Sequence, residues 1–168
     1  MNIIHLSHSD ISGGAARAAY RIHRALRKLG LNSTMWVDAP ISGDWSVKGS
    51  DGYWSKMSTR ARAKMAGALK RTLITQNPII HSPAILSSNW VNELNRSNAD
   101  LVHLHWVQGE MLSISDISKI EKPVVWTLHD MWGFCGAEHV SWDDRWRHGY
   151  RHDNRPLHEA GFDLNRWT

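Results

Sequence analysis

Apolar and polar residues follow one another along this chain in short blocks, and four of these blocks predict strands. Each has the apolar and β-branched content of a buried strand, and each is bounded by residues that favour turns. The predicted strands are residues 2–7, 31–37, 101–106 and 123–128. The segments between them decide how these strands are connected.

Apolar residues at helical spacing separate the predicted strands. The predicted helices are residues 13–29, with Gly30 as a C-cap glycine, 54–73, 89–95 and 113–120. Residues 39–52 and 76–87 carry the glycine and proline residues of loops. Strands that alternate with helices favour an α/β fold, in which a Rossmann-like parallel sheet has helices on both faces.

The periodic pattern is lost after Asp130. We therefore expect a Rossmann-like lobe over residues 1–130, followed by an irregular extension over residues 131–168 that is rich in tryptophan, histidine and arginine. In doubly wound sheets, ligands bind beyond the carboxyl ends of the strands, where the strand order reverses. The loops that follow Leu6, Trp106 and Leu128 are predicted to meet at that edge.

The first predicted strand leads through a polar loop to Ser12, Gly13 and Gly14, which open the first helix. A strand, a glycine turn and a helix N-terminus in this order can bind a phosphate group through backbone N–H groups. The alternative is a tight turn without a ligand. The dinucleotide pattern G-x-G-x-x-G is not present, so a nicotinamide-dependent oxidoreductase is a weaker hypothesis.

Composition narrows the class of protein further. The 168 residues contain one cysteine, Cys135, which excludes an internal disulfide and a multi-thiolate metal site and favours the cytosol. No segment is apolar over the length of a membrane span, and the N-terminus does not have the pattern of a secretory signal. The net charge is +4, but the basic residues lack the interleaved aromatic pattern of RNA-binding proteins, so no nucleic-acid partner is expected.

Histidines supply most of the candidate chemistry. His103 and His105 would share one face of a strand, and with His129, Asp130 and His139 they could form a nitrogen and oxygen metal site. No H-E-x-x-H helix occurs, so hydrogen-bonded histidines are favoured and no metal is expected. A serine nucleophile is not supported because no G-x-S-x-G turn occurs, and Cys135 is expected to be an inert thiol.

His129 is the strongest candidate for catalysis. It follows the fourth predicted strand, at the level where the glycine turn would hold a phosphate, and a neutral imidazole there can donate to a phosphate or a sugar hydroxyl. The alternative is a histidine that only packs against the end of the strand.

The second predicted helix, residues 54–73, combines six cations with an apolar stripe and has no acidic residue between positions 56 and 71. This pattern is typical of binding to an anionic membrane surface, although a solvated basic face is an equal alternative. The cations are Lys56, Arg60, Arg62, Lys64, Lys70 and Arg71, and the stripe is Trp54, Met57, Met65 and Leu69.

Three blocks of the sequence together resemble one family. They are MNIIHLSHSDISGGAARAAY at residues 1–20, DLVHLHW at 100–106 and PVVWTLHDMW at 123–132. In this order they resemble the amino-terminal half of bacterial GT-B glycosyltransferases of family four, which build exopolysaccharide and lipopolysaccharide chains. The resemblance extends over essentially the whole chain.

The resemblance implies retaining transfer of a sugar from a nucleotide-sugar donor to a saccharide or lipid-linked acceptor, in the cytoplasm or at the inner face of the membrane. It places Gly13 and Gly14 at the donor diphosphate and His129 at the transferred sugar. No cofactor or metal is implied, since the nucleotide-sugar is a substrate. The weaker candidates for acceptor contacts are Asp10, Ser12, Arg17, Trp106 and Asp130.

The chain departs from this family in one respect. The family carries a Glu-x7-Glu signature in a carboxyl-terminal lobe, and no glutamate of this chain has another glutamate eight positions later. The expectation is therefore an acceptor-side lobe that is inactive by itself and needs the second lobe as its partner. The alternative is a non-catalytic module that binds a saccharide or a phosphate.

Overall fold

The computed structural model describes residues 1–50 and 53–168 and has an α/β architecture built on two sheets. Five strands form one parallel sheet in the order β3-β2-β1-β5-β6, and β4 pairs with β7 in a small antiparallel sheet. The strands are β1 (Asn2–Ser9), β2 (Asn32–Ala39), β3 (Val47–Gly49), β4 (Leu73–Ile74), β5 (Leu101–Leu104), β6 (Val124–Trp126) and β7 (Ala160–Gly161).

Helices flank the parallel sheet, which confirms the predicted fold class. They are α1 (Gly13–Lys28), α2 (Tyr53–Lys70), α3 (Trp90–Arg96), α4 (Ile114–Ile117), α5 (Arg145–His148) and α6 (Leu164–Trp167), with single 3-10 turns at Trp132–Phe134 and His152–Asn154. Helix α4 is shorter than predicted. Ser113 and Asp116 form a capping box at its start, and the helical turn ends at Ile117.

Three strands of the structure were not predicted, and each has only two or three residues. Strand β3 lies inside the predicted loop 39–52 and pairs with Met35–Val37 of β2. A strand this short has too few residues to show a period of two, so its partner strand determines it. The same holds for β4 and β7.

The two faces of the parallel sheet differ in polarity because successive side chains of a strand point to opposite faces. Ile4 and Leu6 of β1 join Val102 and Leu104 of β5 in the main apolar core. His5 lies between Ile4 and Leu6 in sequence and is in register with His103 of β5. One face of the sheet is therefore apolar, while the other carries histidines.

Helix α1 covers the histidine-bearing face with small residues. Ala16 and Ala19 are buried, and Ala19 packs with Met35 and Val37 of β2 in a second, smaller core. Small side chains let the helix approach the sheet closely. The imidazole of His23, one turn further along α1, is also buried on this face.

The strand order reverses between β1 and β5. The chain runs outward from β1 through β2 to β3 and then returns to β5, on the other side of β1. Beyond the carboxyl ends of these strands, the N–H of His8 donates to the carbonyl of Trp106 at 2.7 Å. This is the position where open α/β sheets bind ligands.

The irregular extension, residues 131–168, combines an apolar contact with the rest of the chain and buried ion pairs within itself. Trp132 belongs to the main apolar core. The guanidinium of Arg145 donates to Asp143 at 2.8 Å and to Glu159 at 3.0 Å, and the side chains of Arg145 and Glu159 are almost fully buried. The ion pairs stabilise the extension itself, while Trp132, whose indole N–H donates to the carbonyl of Ser82 at 3.0 Å, anchors it to the rest of the chain.

Helix α2 exposes part of its predicted basic and apolar surface. Met57 and Met65 are exposed, and so are the cations Arg60 and Lys64, whereas Arg62 is buried and donates to Thr59 at 3.2 Å. Arg62 is therefore a packing residue, in contrast to its predicted place among the solvent-facing cations. The side chains of Trp54 and Lys56 lie outside the described residues.

Of the helices in the described residues, none is both long enough and apolar enough to cross a bilayer.

Candidate functional site

A cavity of about 390 Å³ lies at the N-terminus of α1, beside the point where the strand order reverses. Gly13 has a backbone φ of +88°, which glycine adopts without strain, and a Cβ built at Gly14 would meet nothing within 4 Å. The lining residues are Ser7, His8, Ser9, Ser12, Gly13, Gly14, Ala15, Ala16 and Trp106.

The groups around this cavity are suited to an anion. The first turn of α1, which the structure describes completely, contains no acidic residue, so the positive end of the helix dipole is not neutralised there. Ser12 is the N-cap residue, and its exposed side chain makes no capping hydrogen bond among the described residues. Its hydroxyl and the N–H groups of the first turn can therefore donate to a bound oxyanion.

Asp10 is buried and holds the loop before α1 in place. Its carboxylate accepts hydrogen bonds from the N–H groups of Ile11, Ile41 and Ser42 at 2.8–3.2 Å. Burial raises the pKa of Asp10, but the hydrogen bonds from Ser42 and from the other two backbone groups outweigh burial and bring the pKa below its ordinary value. Asp10 thus connects the loops after β1 and β2.

Arg17, the other candidate on this loop and helix, is exposed. Its Nε donates to the carbonyl of Ile11 at 3.3 Å. The structure therefore places Arg17 on the outer side of α1, and the cavity lining does not include it.

Trp106 forms one wall of the cavity, and Asp130 holds it there. The indole N–H of Trp106 donates to Oδ2 of Asp130 at 2.8 Å, and the same oxygen lies 2.6 Å from Nδ1 of His139. Burial raises the pKa of Asp130, but the hydrogen bond and electrostatic effect of His139, with the hydrogen bonds from Trp132 and Trp106, outweigh burial and bring the pKa below its ordinary value. An ionised Asp130 therefore fixes the orientation of the tryptophan ring.

Ser82, His139 and Asp130 form a hydrogen-bonded chain that the sequence did not predict. Oγ of Ser82 lies 2.8 Å from Nε2 of His139, so the three residues have the order of a catalytic triad. However, Ser82 is only 2% exposed, and its hydroxyl also accepts from the N–H of Gly109 at 3.4 Å. These contacts connect the 76–87 loop to Asp130 and leave the hydroxyl inaccessible to a substrate.

Ser82 and His139 lie 57 positions apart in sequence, in two segments without regular periodicity. No local motif marks either residue.

His129 lies at the end of β6, on the histidine-bearing side of the sheet. Its Nε2 is 3.2 Å from Nδ1 of His105, and Nε2 of His105 is 3.0 Å from Nδ1 of His5. Three imidazoles thus form a chain from the half-buried His129 to the fully buried His5. The cavity lining at Gly13 and Gly14 does not include His129.

All three rings of this chain are neutral at pH 7. Burial, followed by the neighbouring imidazoles His103 and His23, lowers the pKa of His5 to about 3. Burial and the adjacent imidazoles also lower the pKa of His105, and burial lowers that of His129 against an opposing effect of Asp130. Each ring therefore carries one N–H and one lone pair.

The direction of donation along this chain determines which nitrogen of His129 carries its proton. Nε2 of His5 is buried without a hydrogen-bond partner among the described residues. If Nδ1–H of His5 donates to His105 and Nδ1–H of His105 donates to His129, then Nε2 of His5 has only a lone pair. If the donation runs in the opposite direction, Nε2 of His5 carries a buried N–H without a partner, and such N–H groups are rarer in protein interiors. His129 then has its proton on Nδ1, the nitrogen that is not bonded to His105.

The sequence correctly placed His103 and His105 on one face, but it did not identify His5 and His23 as their neighbours. His5 joins them through the register of β1 with β5, and its ring centroid lies 5.0 Å from that of His103. His139, which the sequence grouped with His103, contacts Asp130 and Ser82 instead.

Cys135 is buried, and burial raises the pKa of its thiol to about 11. The hydroxyl of Tyr150 partly offsets this effect by a hydrogen bond. The thiol is therefore protonated at neutral pH, and an unactivated thiol of this kind is a poor nucleophile.

Comparison with known proteins identified no relative of this chain. No family model matches the chain, and no curated protein or solved structure matches it either. A function for the chain must therefore be argued from its own residues and their geometry.

His23 provides a test of the buried histidine face. Its Nδ1 lies 2.8 Å from Oγ of Ser33 and its Nε2 lies 2.9 Å from Oγ of Ser46. Burial, against the opposing charge of Asp44 and with smaller contributions from Arg27 and Arg24, lowers the pKa of His23 to about 4. Its ring centroid lies 5.7 Å from that of His5 and 6.0 Å from that of Tyr20.

Because the unfolded chain binds a proton near pH 6.5 that folded His23 does not bind until pH 4, we expect acid to destabilise the fold. For one such group the free energy of unfolding falls by up to about 1.4 kcal/mol per pH unit between these values. Urea unfolding at pH 7 and pH 5 should therefore show a smaller loss in His23→Gln than in the unaltered chain. The exposed His158→Gln variant is the control, and an equal loss in all three proteins would contradict the role of His23.

Proposed function

We propose that this chain is the acceptor-side, amino-terminal lobe of a retaining GT-B glycosyltransferase. The reaction is transfer of a sugar from a nucleotide-sugar to a saccharide or lipid-linked acceptor. The observation that carries the proposal is the cavity at the β1/β5 reversal, where the Gly13–Gly14 turn and the ring of Trp106 face the same space.

The glycine turn suits the diphosphate of a nucleotide-sugar donor. An oxyanion can approach the backbone of Gly13 and Gly14 closely, because neither residue has a side chain. The dipole of the 16-residue helix α1 contributes about 0.3–1 kcal/mol to binding a negative charge at its first turn. This turn lies in the first of the three blocks that together resemble the family.

Trp106 suits the sugar or acceptor side of the cavity. Its ring forms a rigid wall, because the indole N–H is bonded to Asp130 and the ring edge contacts His8. An aromatic face can pack against the apolar face of a sugar ring, while the serine hydroxyls of the lining can bond to sugar hydroxyls. Asp130 therefore contributes to the site through Trp106.

His129 is the proposed catalytic residue of this lobe. With its proton on Nδ1, it can donate to a hydroxyl or phosphate of a substrate that extends past Trp106 toward β6. His105 acts as a positioning residue, because its contact with Nε2 of His129 determines the tautomer.

In this proposal, a second lobe with the Glu-x7-Glu signature chiefly stabilises the leaving diphosphate and binds the nucleotide. Two other functions are alternatives to glycosyl transfer. A binding module would hold a saccharide or phosphate without turnover, and an oxidoreductase would bind a nicotinamide dinucleotide despite its incomplete glycine pattern.

The first prediction concerns phosphate binding at the glycine turn. Titration of the 15N-labelled chain with inorganic pyrophosphate should shift the amide resonances of residues 12–16 selectively. In Gly14→Val the branched side chain occupies the space of the anion, so the Kd should rise at least about fivefold, which corresponds to about 1 kcal/mol.

The control for this experiment is Gly67→Val, which adds the same side chain in open space on α2. It should bind pyrophosphate as the unaltered chain does. Shifts spread over the basic surface, or equal affinity in Gly14→Val, would contradict a phosphate site at the turn. Binding of NAD⁺ without binding of pyrophosphate would favour the oxidoreductase.

The second prediction concerns transfer itself. A helix N-terminus and one histidine supply only a small part of the 8–23 kcal/mol by which enzymes typically lower a barrier. Residues 1–168, incubated with a panel of nucleotide-sugars and saccharide or lipid-linked acceptors, should therefore release no nucleoside diphosphate over multiple turnovers. Robust release would contradict the assignment of the leaving-group chemistry to another lobe.

The third prediction concerns the surface of α2. A lipid-linked acceptor lies at a membrane, and α2 exposes Met57 and Met65 beside Arg60 and Lys64. Each basic residue near an anionic leaflet contributes about 1 kcal/mol. The double variant Arg60→Gln/Lys64→Gln should therefore co-sediment at least about tenfold more weakly with phosphatidylglycerol vesicles.

Arg96→Gln/Lys119→Gln removes the same charge from exposed positions outside α2 and serves as the control. It should retain binding. Equal recovery of the unaltered chain with neutral and anionic vesicles would instead indicate a solvated basic face.

A further inference from the structure

We propose that His5, His103 and His105 form a binding site for a divalent transition metal ion, with Zn²⁺ as the best match. The three side chains lie on adjacent strands β1 and β5, on the face of the sheet that α1 partly covers. The site is independent of the phosphate cavity, and the proposal does not depend on the glycosyltransferase function.

The geometry brings three nitrogen donors together. One ring nitrogen of each histidine lies within 4.8 Å of the corresponding nitrogens of the other two. Nδ1 of His5 and Nε2 of His105 are 3.0 Å apart, and the rings of His103 and His105 have centroids 4.1 Å apart. Two imidazole ligands of a tetrahedral zinc ion, each at about 2.0–2.1 Å, have nitrogens about 3.3 Å apart.

The strands hold these donors in fixed relative positions. His5 is in register with His103, and His105 follows His103 on the same face of β5. Metal sites on sheet strands need little backbone movement on binding, because the strands hold their side chains in precise relative positions.

The chemistry of the three donors favours zinc or a neighbouring ion. Imidazole nitrogens suit Zn²⁺, Cu²⁺ and Ni²⁺, whereas Mg²⁺ and Ca²⁺ prefer oxygen ligands. Burial keeps all three rings in the neutral, ligating form, because it lowers each pKa. Three histidines leave a fourth coordination position for solvent or another ligand.

Two further residues support the ligands as metal sites usually require. Nδ1 of His105 faces Nε2 of His129 at 3.2 Å, which leaves its Nε2 available to the metal. Nε2 of His103 is 2.7 Å from Oγ1 of Thr127, which leaves its Nδ1 available. Such outer contacts fix the tautomer and ring orientation of a ligating histidine.

The cluster is also accessible to an ion. His103 is half-buried, and its register partner Val125 on β6 is 45% exposed, so α1 does not cover this part of the face. His5, in contrast, is fully buried and has one ring nitrogen, Nε2, without a partner among the described residues. Ligation through Nδ1 of His5 requires its proton on Nε2, so zinc binding replaces the His5–His105 hydrogen bond and changes the tautomer of His5.

The experiment uses the untagged chain after removal of metal with a chelator. Isothermal titration with ZnCl₂ should show one ion bound per chain, and zinc should raise the melting temperature. His103→Gln removes a half-buried ligand with little effect on packing, and the zinc Kd should rise at least about tenfold. Titration with Co²⁺ should give the visible absorption of a tetrahedral site.

Thr127→Val tests the site without removing a ligand and should also weaken zinc binding about tenfold. His158→Gln, at an exposed position, is the matched control and should bind zinc as the unaltered chain does. Absence of zinc binding in the unaltered chain would overturn the proposal and identify a hydrogen-bonded histidine cluster. Zinc affinity in His103→Gln and Thr127→Val equal to that of the unaltered chain would do the same. Zinc binding that persists in Gly14→Val separates this site from the phosphate site.

Discussion

The parallel pairing of β1 with β2 on one side and β5 on the other is the constraint on which both candidate sites depend. It brings the end of β1, which leads into the glycine turn, beside the end of β5, which leads into Trp106. The same register sets His5 against His103. A one-residue slip of this register would move every side chain of β1 to the opposite face of the sheet.

Burial of imidazoles on one face of the sheet costs desolvation free energy. Each buried imidazole must find partners for its polar atoms, and His23 does so with the hydroxyls of Ser33 and Ser46. The apolar core on the opposite face, which includes Leu6, Leu104 and Trp132, provides the main hydrophobic stabilisation. The apolar face of the sheet therefore stabilises the fold, while the opposite face carries the hydrogen-bonded histidines.

The sequence predicted the elements whose signal is local. The glycine turn, helix α1 and the shared face of His103 and His105 follow from spacing within one segment, and the structure contains each of them. The approach of His5 depends on strand register across about a hundred residues, which no local pattern records. Likewise, Asp10 was a candidate for acceptor contacts by its place on this edge, and the hydrogen bonds from three backbone N–H groups to its carboxylate come from two loops that no local pattern connects.

The two candidate sites are connected at the ends of β5 and β6. His105 contacts His129, and the residues that follow them, Trp106 and Asp130, form the indole hydrogen bond. Both pairs are separated by 24 positions in sequence. A displacement of the β6 end relative to β5 must therefore change both contacts together. An ion bound to His105 would thus restrict the motion of the segment that orients Trp106. A sugar packed on Trp106 would restrict the motion of the same segment. Such coupling requires no moving domain, because consecutive residues of one strand end belong to the two sites.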